Sequence, residues 1–196
     1  VIVGARRTAE ELGRAFAGVP VITSAGDSVH AEIGAGPALV VATPGAEPRT
    51  PDGYGAALLL DGWSLLGRQD LRAAEDTLRR WMAASAQVHC RAAGGVVVVV
   101  AESGIPTVQA LIKWDPVGHA EAELAGRVAV GLPPAVHIAA VDGASDGVNA
   151  LIAQAALPGD ADLLGPVDLP PGVRRPPATA ATDTAIRMLI RVRRAE

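Results

Sequence analysis

The segment 70–102 constrains the fold more than any other part of the chain, because it predicts a helix that leads into a buried strand. Apolar residues recur at helical spacing from Leu71 to Met82, and charged residues take the opposite face. Gly94 and Gly95 end this pattern, and five consecutive valines follow. A β-branched run without alternation is typical of a parallel strand covered on both faces. The segment therefore predicts a layered α/β structure.

The sequence predicts two domains, which meet between Trp114 and Asp115. In residues 1–114, strands alternate with helices, which favours a parallel sheet with flanking helices. The predicted strands are 1–3, 19–23, 38–43, 56–61 and 96–100, and the predicted helices include one capped by Thr8, one at 28–33, one capped by Asp70 and one at 106–113. In residues 115–196, the order helix, strand, helix, strand, strand predicts a small α+β domain. Its last strand, 185–194, alternates apolar and basic residues.

Composition excludes several classes of protein. Cys90 is the one cysteine, so the chain has no internal disulfide and no multi-cysteine zinc site. The formal net charge is −4, which does not indicate a strongly basic nucleic-acid module. The four histidines have no metal-ligand spacing, so we predict no metal site. Without a signal segment or an 18-residue apolar span, we predict no membrane contact and a cytoplasmic location. Because residue 1 is a valine within a predicted strand, we expect a fragment of a longer protein.

Five segments occur in an order that resembles a known family. They are LVVATPG (39–45), LLLD (58–61), DLRAAE (70–75), ELAGRVAVGLPP (123–134) and LLGP (163–166). This order resembles the C-terminal part of the PriA family, the primosomal replication restart DNA helicases, in a degenerate actinobacterial-type form. The resemblance implies that residues 1–114 are part of the second RecA-like helicase lobe and that 115–196 are the family's C-terminal domain. It also implies that the family's ATP, Mg and Zn elements are upstream of this chain or lost from it.

The chain departs from the family pattern at positions that carry charge. The family has G-T-Q-x-x-x-K-G after the strand at 39–42, whereas this chain reads A-T-P-G-A-E-P-R. The family has Q-V-x-G-R-A-G-R after the DLRAAE helix, and Gln87 and Cys90 occupy its two arginine positions. Such an arginine contributes roughly 10³–10⁵ in the rate of phosphate transfer, and neither replacement carries charge. Arg91 is one residue further on, about 100° away around a continued helix.

The predicted site residues form two groups. Thr43, Asp61 and Arg72 are predicted to lie near a nucleotide, and no catalytic residue is predicted. One local basic cluster is predicted to contact the DNA backbone, and the alternative is a charged sheet edge that blocks aggregation. If the last strand is an edge, three of its arginines would point the same way. The members of the cluster are Arg174, Arg175, Arg187, Arg191, Arg193 and Arg194.

Three functions remain open from the sequence. The first is a replication restart protein that binds branched or fork DNA and primosome or single-strand-binding proteins, without helicase activity of its own. The second is an active ATP-dependent 3′–5′ DNA helicase whose other lobe lies upstream. The third is a small-molecule α/β enzyme with a ligand near Thr43, Asp61 and Glu102, at the carboxyl ends of the strands.

Overall fold

The computed structural model describes residues 4–170, 172–174, 176 and 184–194, so the predicted strand 1–3 lies outside the described residues. The helices in this part of the chain are α1 (Ala5–Ala15), α2 (Gly62–Leu66), α3 (Ala73–Ser85), α4 (Pro106–Lys113), α5 (Pro116–Val130) and α6 (Ser145–Gln154). The strands are β1 (Val21–Ser24), β2 (Leu39–Ala42), β3 (Ala56–Leu59), β4 (Val96–Val99), β5 (Val136–Ala144), β6 (Asp162–Asp168) and β7 (Ala185–Arg193).

The chain divides into two compact units, one that ends at Ala120 and one that begins at Glu121. The first unit contains parallel strand pairs and the second an antiparallel sheet. The chain is therefore mixed α/β, as the sequence indicated. Neither the predicted boundary at 114/115 nor the RecA-like lobe follows from this division, and both stay predictions.

The first unit is built around two parallel strand pairs, β1–β2 and β3–β4. α1 lies against β1 and β2. The core of the unit forms where β3 and β4 meet α3 and α4. Leu59 from β3, Leu78 and Trp81 from α3, and Val108 and Leu111 from α4 pack together there. Helices of this kind gain most of their stability from such packing rather than from local propensity.

α3 begins two residues later than a cap at Asp70 would require. Arg72 holds the N-cap position, and Asp70 instead accepts a hydrogen bond from the Arg72 backbone N–H at 2.8 Å through Oδ1. The buried Thr77 hydroxyl donates to the carbonyl of Ala73 at 2.6 Å, so its burial leaves no unsatisfied hydroxyl. Of the predicted apolar stripe, Leu78 and Trp81 are buried on α3 together with Ala73 and Thr77, whereas Leu71 precedes the helix and is 48% exposed.

Two predicted helical features are absent because the backbone has other partners. Gly4 is the N-cap of α1, and its carbonyl accepts the N–H of Thr8, so Thr8 is inside the helix rather than its cap. Residues 28–33 form no helix. The N–H of His30 donates to the buried Ser24 hydroxyl at 3.0 Å, and Glu32 pairs with Arg49 in an isolated parallel bridge.

β4 is not covered on both faces, so that prediction was wrong for this chain. Val96 is 52% exposed and Val98 is 45% exposed. The valine run is typical of a parallel strand that is buried on both faces, but α3 and α4 pack against only one face of the β3–β4 pair.

The second unit has a three-stranded antiparallel sheet in the order β5-β7-β6. α6 packs against one face, where Val148 contacts Ile186 and Met188. α5 begins in the first unit, before the division after Ala120. As predicted, Asp115 caps it, since its Oδ1 accepts the N–H of Gly118 at 2.8 Å and Pro116 takes the first helical position. β7 is the central strand, so its arginines do not line a sheet edge.

Leu78→Ala should destabilise the first unit by about 2–5 kcal/mol, because it leaves a cavity between α3, α4 and β3. Urea unfolding followed by circular dichroism measures this change. The matched control is Leu71→Ala, at a position that is nearly half exposed, and it should change stability by less than about 0.5 kcal/mol. Equal unfolding midpoints for the two variants would contradict the core described above.

Candidate functional site

The loop after β2 is closed by its own carboxylate. Thr43 follows the carboxyl end of β2, and its N–H donates to the carbonyl of Ser24 at 3.1 Å. The N–H of Gly45 donates to both carboxylate oxygens of Glu47, at 2.9 and 3.0 Å. A donor that could meet a phosphate is therefore engaged, and the negative charge beside it would repel one. The same carboxylate also affects Tyr54. The pKa of the Tyr54 hydroxyl is raised, first by burial and second by the negative charge of Glu47.

Asp61 follows the carboxyl end of β3 in a left-handed turn, with φ 53°. The turn places Gly62 against the core, where an added Cβ would lie 3.2 Å from the Trp81 ring. Asp61 and Arg72 are both exposed. Among the described residues, no side-chain hydrogen bond or ion pair joins any two of Thr43, Asp61 and Arg72. The structure thus puts Thr43 and Asp61 at strand ends without assembling the three into one contact network.

The two arginine positions of the family pattern fall outside the helix. α3 ends at Ser85, and the carbonyl of Gln87 then accepts the N–H of Tyr54 at 2.9 Å. Cys90 is exposed and precedes a short 3₁₀ turn that begins at Arg91. The argument that Arg91 is displaced around a continued helix was therefore wrong. The absence of charge at Gln87 and Cys90 does not depend on that argument.

A cavity of about 280 Å³ lies at the other ends of the strands. Its lining includes Gly34–Gly36 before β2 and Asp52–Gly55 before β3. These are amino ends of parallel strands, whereas ligands of open α/β sheets bind beyond the carboxyl ends. The cavity is therefore not at the crevice where the small-molecule enzyme was predicted to hold its ligand.

Two arginines of β7 are paired with carboxylates of the neighbouring strands. Arg187 donates to Asp142 of β5 through Nε and Nη2, both at 2.7 Å. This bidentate hydrogen bond holds the pKa of Asp142 below its usual range and raises the pKa of Arg187. Arg191 donates to Oδ2 of Asp162 on β6 through Nη2 at 2.9 Å and Nε at 3.1 Å.

Arg191 also lies over the end of α5. Gly131 has φ 64°, and a Cβ added there would be 2.8 Å from Nη1 of Arg191. Glycine thus permits both the helix-ending turn and the close approach of the guanidinium. Gly131 belongs to the GLPP element, so one motif of the resemblance contacts the predicted basic cluster.

The remaining arginines of that cluster have different surroundings. Arg193 and Arg194 are exposed at the end of β7. Arg174 is also exposed, and Arg175 lies outside the described residues. Arg187, Arg191 and Arg193 share one face of the sheet because they are spaced by even numbers of residues. The free cationic end of β7 is therefore Arg193 with Arg194.

Comparisons with known proteins place this chain in a family. Residues 128–196 match a family model described as the primosomal protein N C-terminal domain. The "Probable replication restart protein PriA" of Mycobacterium leprae is 70% identical over 194 residues, which cover 99% of this chain and 30% of that protein. The chain belongs to the PriA family. A protein of the same name from Mycobacterium tuberculosis (strain CDC 1551 / Oshkosh) is 71% identical over 196 residues, 30% of its length.

The resemblance to the C-terminal part of PriA is thereby confirmed. The chain spans about 30% of the length of these curated relatives. No helix in the described ranges is long and apolar enough to cross a bilayer. Within the same ranges, no group of three or more His, Cys, Asp or Glu could hold a metal ion.

Sequence reasoning missed Asp142 and Asp162, the carboxylates that neutralise two of the predicted DNA contacts. The signal was weak, since each lies in a different strand far along the chain from its arginine. Only the order β5-β7-β6 brings them together.

Asp142→Asn should lower the thermal unfolding midpoint of the second unit by a few degrees at pH 7, because it breaks a bidentate charged pair. The pKa of Asp142 is lowered in the fold, so the stabilisation is complete above the ordinary aspartate value of 3.8 and is lost as pH falls through the lowered one. The difference between variant and parent should therefore vanish in strong acid. Asp160→Asn, at an exposed turn, is the control and should change nothing at either pH. A difference between Asp142→Asn and parent that persists in strong acid would contradict the pairing.

Proposed function

We propose that this chain is part of a replication restart protein that binds branched or fork DNA, and that it does so without powering a helicase. The observation that carries the proposal is the identity of 70% to the relatives named as replication restart proteins, combined with the uncharged Gln87 and Cys90. The relatives' name supports a role in restart. The two residues argue against phosphate chemistry at this part of the chain.

In this proposal, residues 1–114 are a partial RecA-like lobe retained as a scaffold, and 115–196 are the C-terminal domain. The parallel pairs with flanking helices support the first assignment. The family match at 128–196 supports the second, because it lies wholly within the proposed domain. The division of the chain after Ala120 lies within α5, six residues from the proposed boundary.

Electrostatics at the strand ends support the absence of ATP hydrolysis. A transferring phosphoryl group needs fixed positive charge at the position where its own charge develops. The loop after β2 presents the carboxylate of Glu47 instead, and Arg80 donates to the carbonyl of Pro44 at 3.3 Å.

The exposed arginines of the second unit support contact with the DNA backbone. Arg193 and Arg194 extend past the ion pairs of β7, and the exposed Arg174 is the other described candidate. Phosphate contacts of this kind position a protein on DNA without reading its sequence. That property suits recognition of a fork by its shape. Primosome and single-strand-binding proteins are the proposed protein partners, and the cytoplasm is the proposed location.

The full-length protein should hydrolyse ATP no faster with forked DNA than without it, because the positions of the motor arginines are uncharged. A coupled assay at saturating ATP and Mg²⁺ measures this, with a DNA-free reaction as the control. Robust DNA-stimulated hydrolysis would overturn the proposal in favour of an active helicase. Strong thermal stabilisation by a small cofactor with no effect of DNA would favour the small-molecule enzyme.

Arg193→Ser combined with Arg194→Ser should weaken binding of forked DNA by the full-length protein about three- to tenfold and lower the salt slope by about two. Fluorescence anisotropy across a salt series measures both quantities. The matched control is Arg6→Ser with Arg7→Ser on α1, which removes the same charge from exposed pairs with Glu10 and Glu11. Equal losses in the two variants would mean that only net charge matters.

A further inference from the structure

One face of the β3–β4 pair is exposed and entirely aliphatic. In the parallel register, Ala56 is opposite Val96 and Leu58 is opposite Val98. Leu58 is 65% exposed, although leucine in a strand normally faces a core. By the same alternation Leu60 and Val100 continue this face, and both are exposed. We call these six residues the Leu58 face.

The opposite face of the same two strands is packed at its carboxyl end, and Val97 on that face is 37% exposed. Leu59 is 9% exposed, and with Val99 it contacts the core formed by α3 and α4. The pair is thus covered in part on one side and bare on the other. Parallel sheets occur almost always with both faces covered, and a solvated sheet face carries polar residues in alternation. The Leu58 face carries none, so its composition is that of a buried surface.

The dimensions of the Leu58 face match one helix. Five residues of extended chain are about 16 Å long, and two strands are about 10 Å wide. A helix with its side chains is about 10–12 Å across, and about eleven residues of helix span that length. The footprint, on the order of 160 Å², is far below the roughly 800 Å² per partner of a stable interface between separate chains. A single element of the same polypeptide fits this face better than a second copy does.

We propose that the Leu58 face is covered by an apolar helix of the same polypeptide, contributed by a segment outside these 196 residues. The relatives at 70% identity are more than three times as long as the part matched here, so such a segment is available in the family. The inference depends on the exposure of the Leu58 face, on the register of β3 with β4, and on the length of the relatives. It does not depend on the proposed DNA binding or on the absence of ATP hydrolysis.

Carbene footprinting of the unmodified full-length protein tests the proposal without a substitution. Val98 is the probe, and Val29 is the matched control, since Val29 is also a valine of similar exposure, 56%, outside the Leu58 face. Labelling of Val98 should be at least fivefold below that of Val29. Comparable labelling of the two valines would overturn the proposal.

Photo-crosslinking identifies what covers the face. Val98→p-benzoylphenylalanine in the full-length protein should give, on irradiation, a link within one chain to a peptide outside residues 1–196. The same change at Val29 should not give this link. A covalent dimer would show that a second copy covers the face. Links confined to residues 1–196 would show that another part of this chain covers it, and either result overturns the proposal.

Discussion

Fixed positive charge is the constraint on which the functional account depends, because both the transfer of a phosphoryl group and the proposed contacts with the DNA backbone need it. Seven of the 15 arginines in the described residues form an ion pair with a carboxylate. These are Arg6, Arg7, Arg68, Arg79, Arg127, Arg187 and Arg191. Surface pairs contribute little to stability, but they still lower the positive potential that an incoming phosphate would meet. In a chain of net charge −4, the proposed contact with DNA is therefore expected where arginines stand apart from carboxylates.

The two units use their charges differently. In the second unit, β7 places three arginines on one face, and its neighbours supply aspartates opposite two of them. Arg193 and Arg194 lie past those aspartates at the strand end. In the first unit, the loop after β2 uses Glu47 to hold its own backbone. The second unit therefore has a positively charged strand end at Arg193 and Arg194, and the first unit has a negatively charged loop at Glu47.

Local sequence patterns predicted several helices and strands well. They did not predict the burial of β4 or the position of β7 in its sheet, which depend on the elements packed around them. α4 has the predicted bounds 106–113, since Pro106 starts it and its apolar spacing is helical. α5 begins as Asp115 and Pro116 predict. The exposure of β4 could not be predicted. A run of valines is typical of a strand buried on both faces, but it does not show whether other elements of the chain cover both faces. The central place of β7 was missed for a related reason: alternation gives the faces of a strand but not its neighbours.

For the candidate site, the sequence predicted only the charge of individual residues and not which residues pair with one another. Gln87 and Cys90 are uncharged in any fold, so that part of the prediction is independent of geometry. The pairing of Arg187 with Asp142 needs a register between strands 45 residues apart, which the sequence does not reveal. The family assignment itself was accessible, because DLRAAE and GLPP retain their order and separation.

Hydrogen exchange of the full-length protein, with and without forked DNA and with and without ATP, tests the central claim most directly. The account predicts that DNA slows exchange at the end of β7, around Arg193 and Arg194, and that ATP leaves residues 43–47 and 86–91 unchanged. Protection of those two segments by ATP, with none at the end of β7 on addition of DNA, would contradict it.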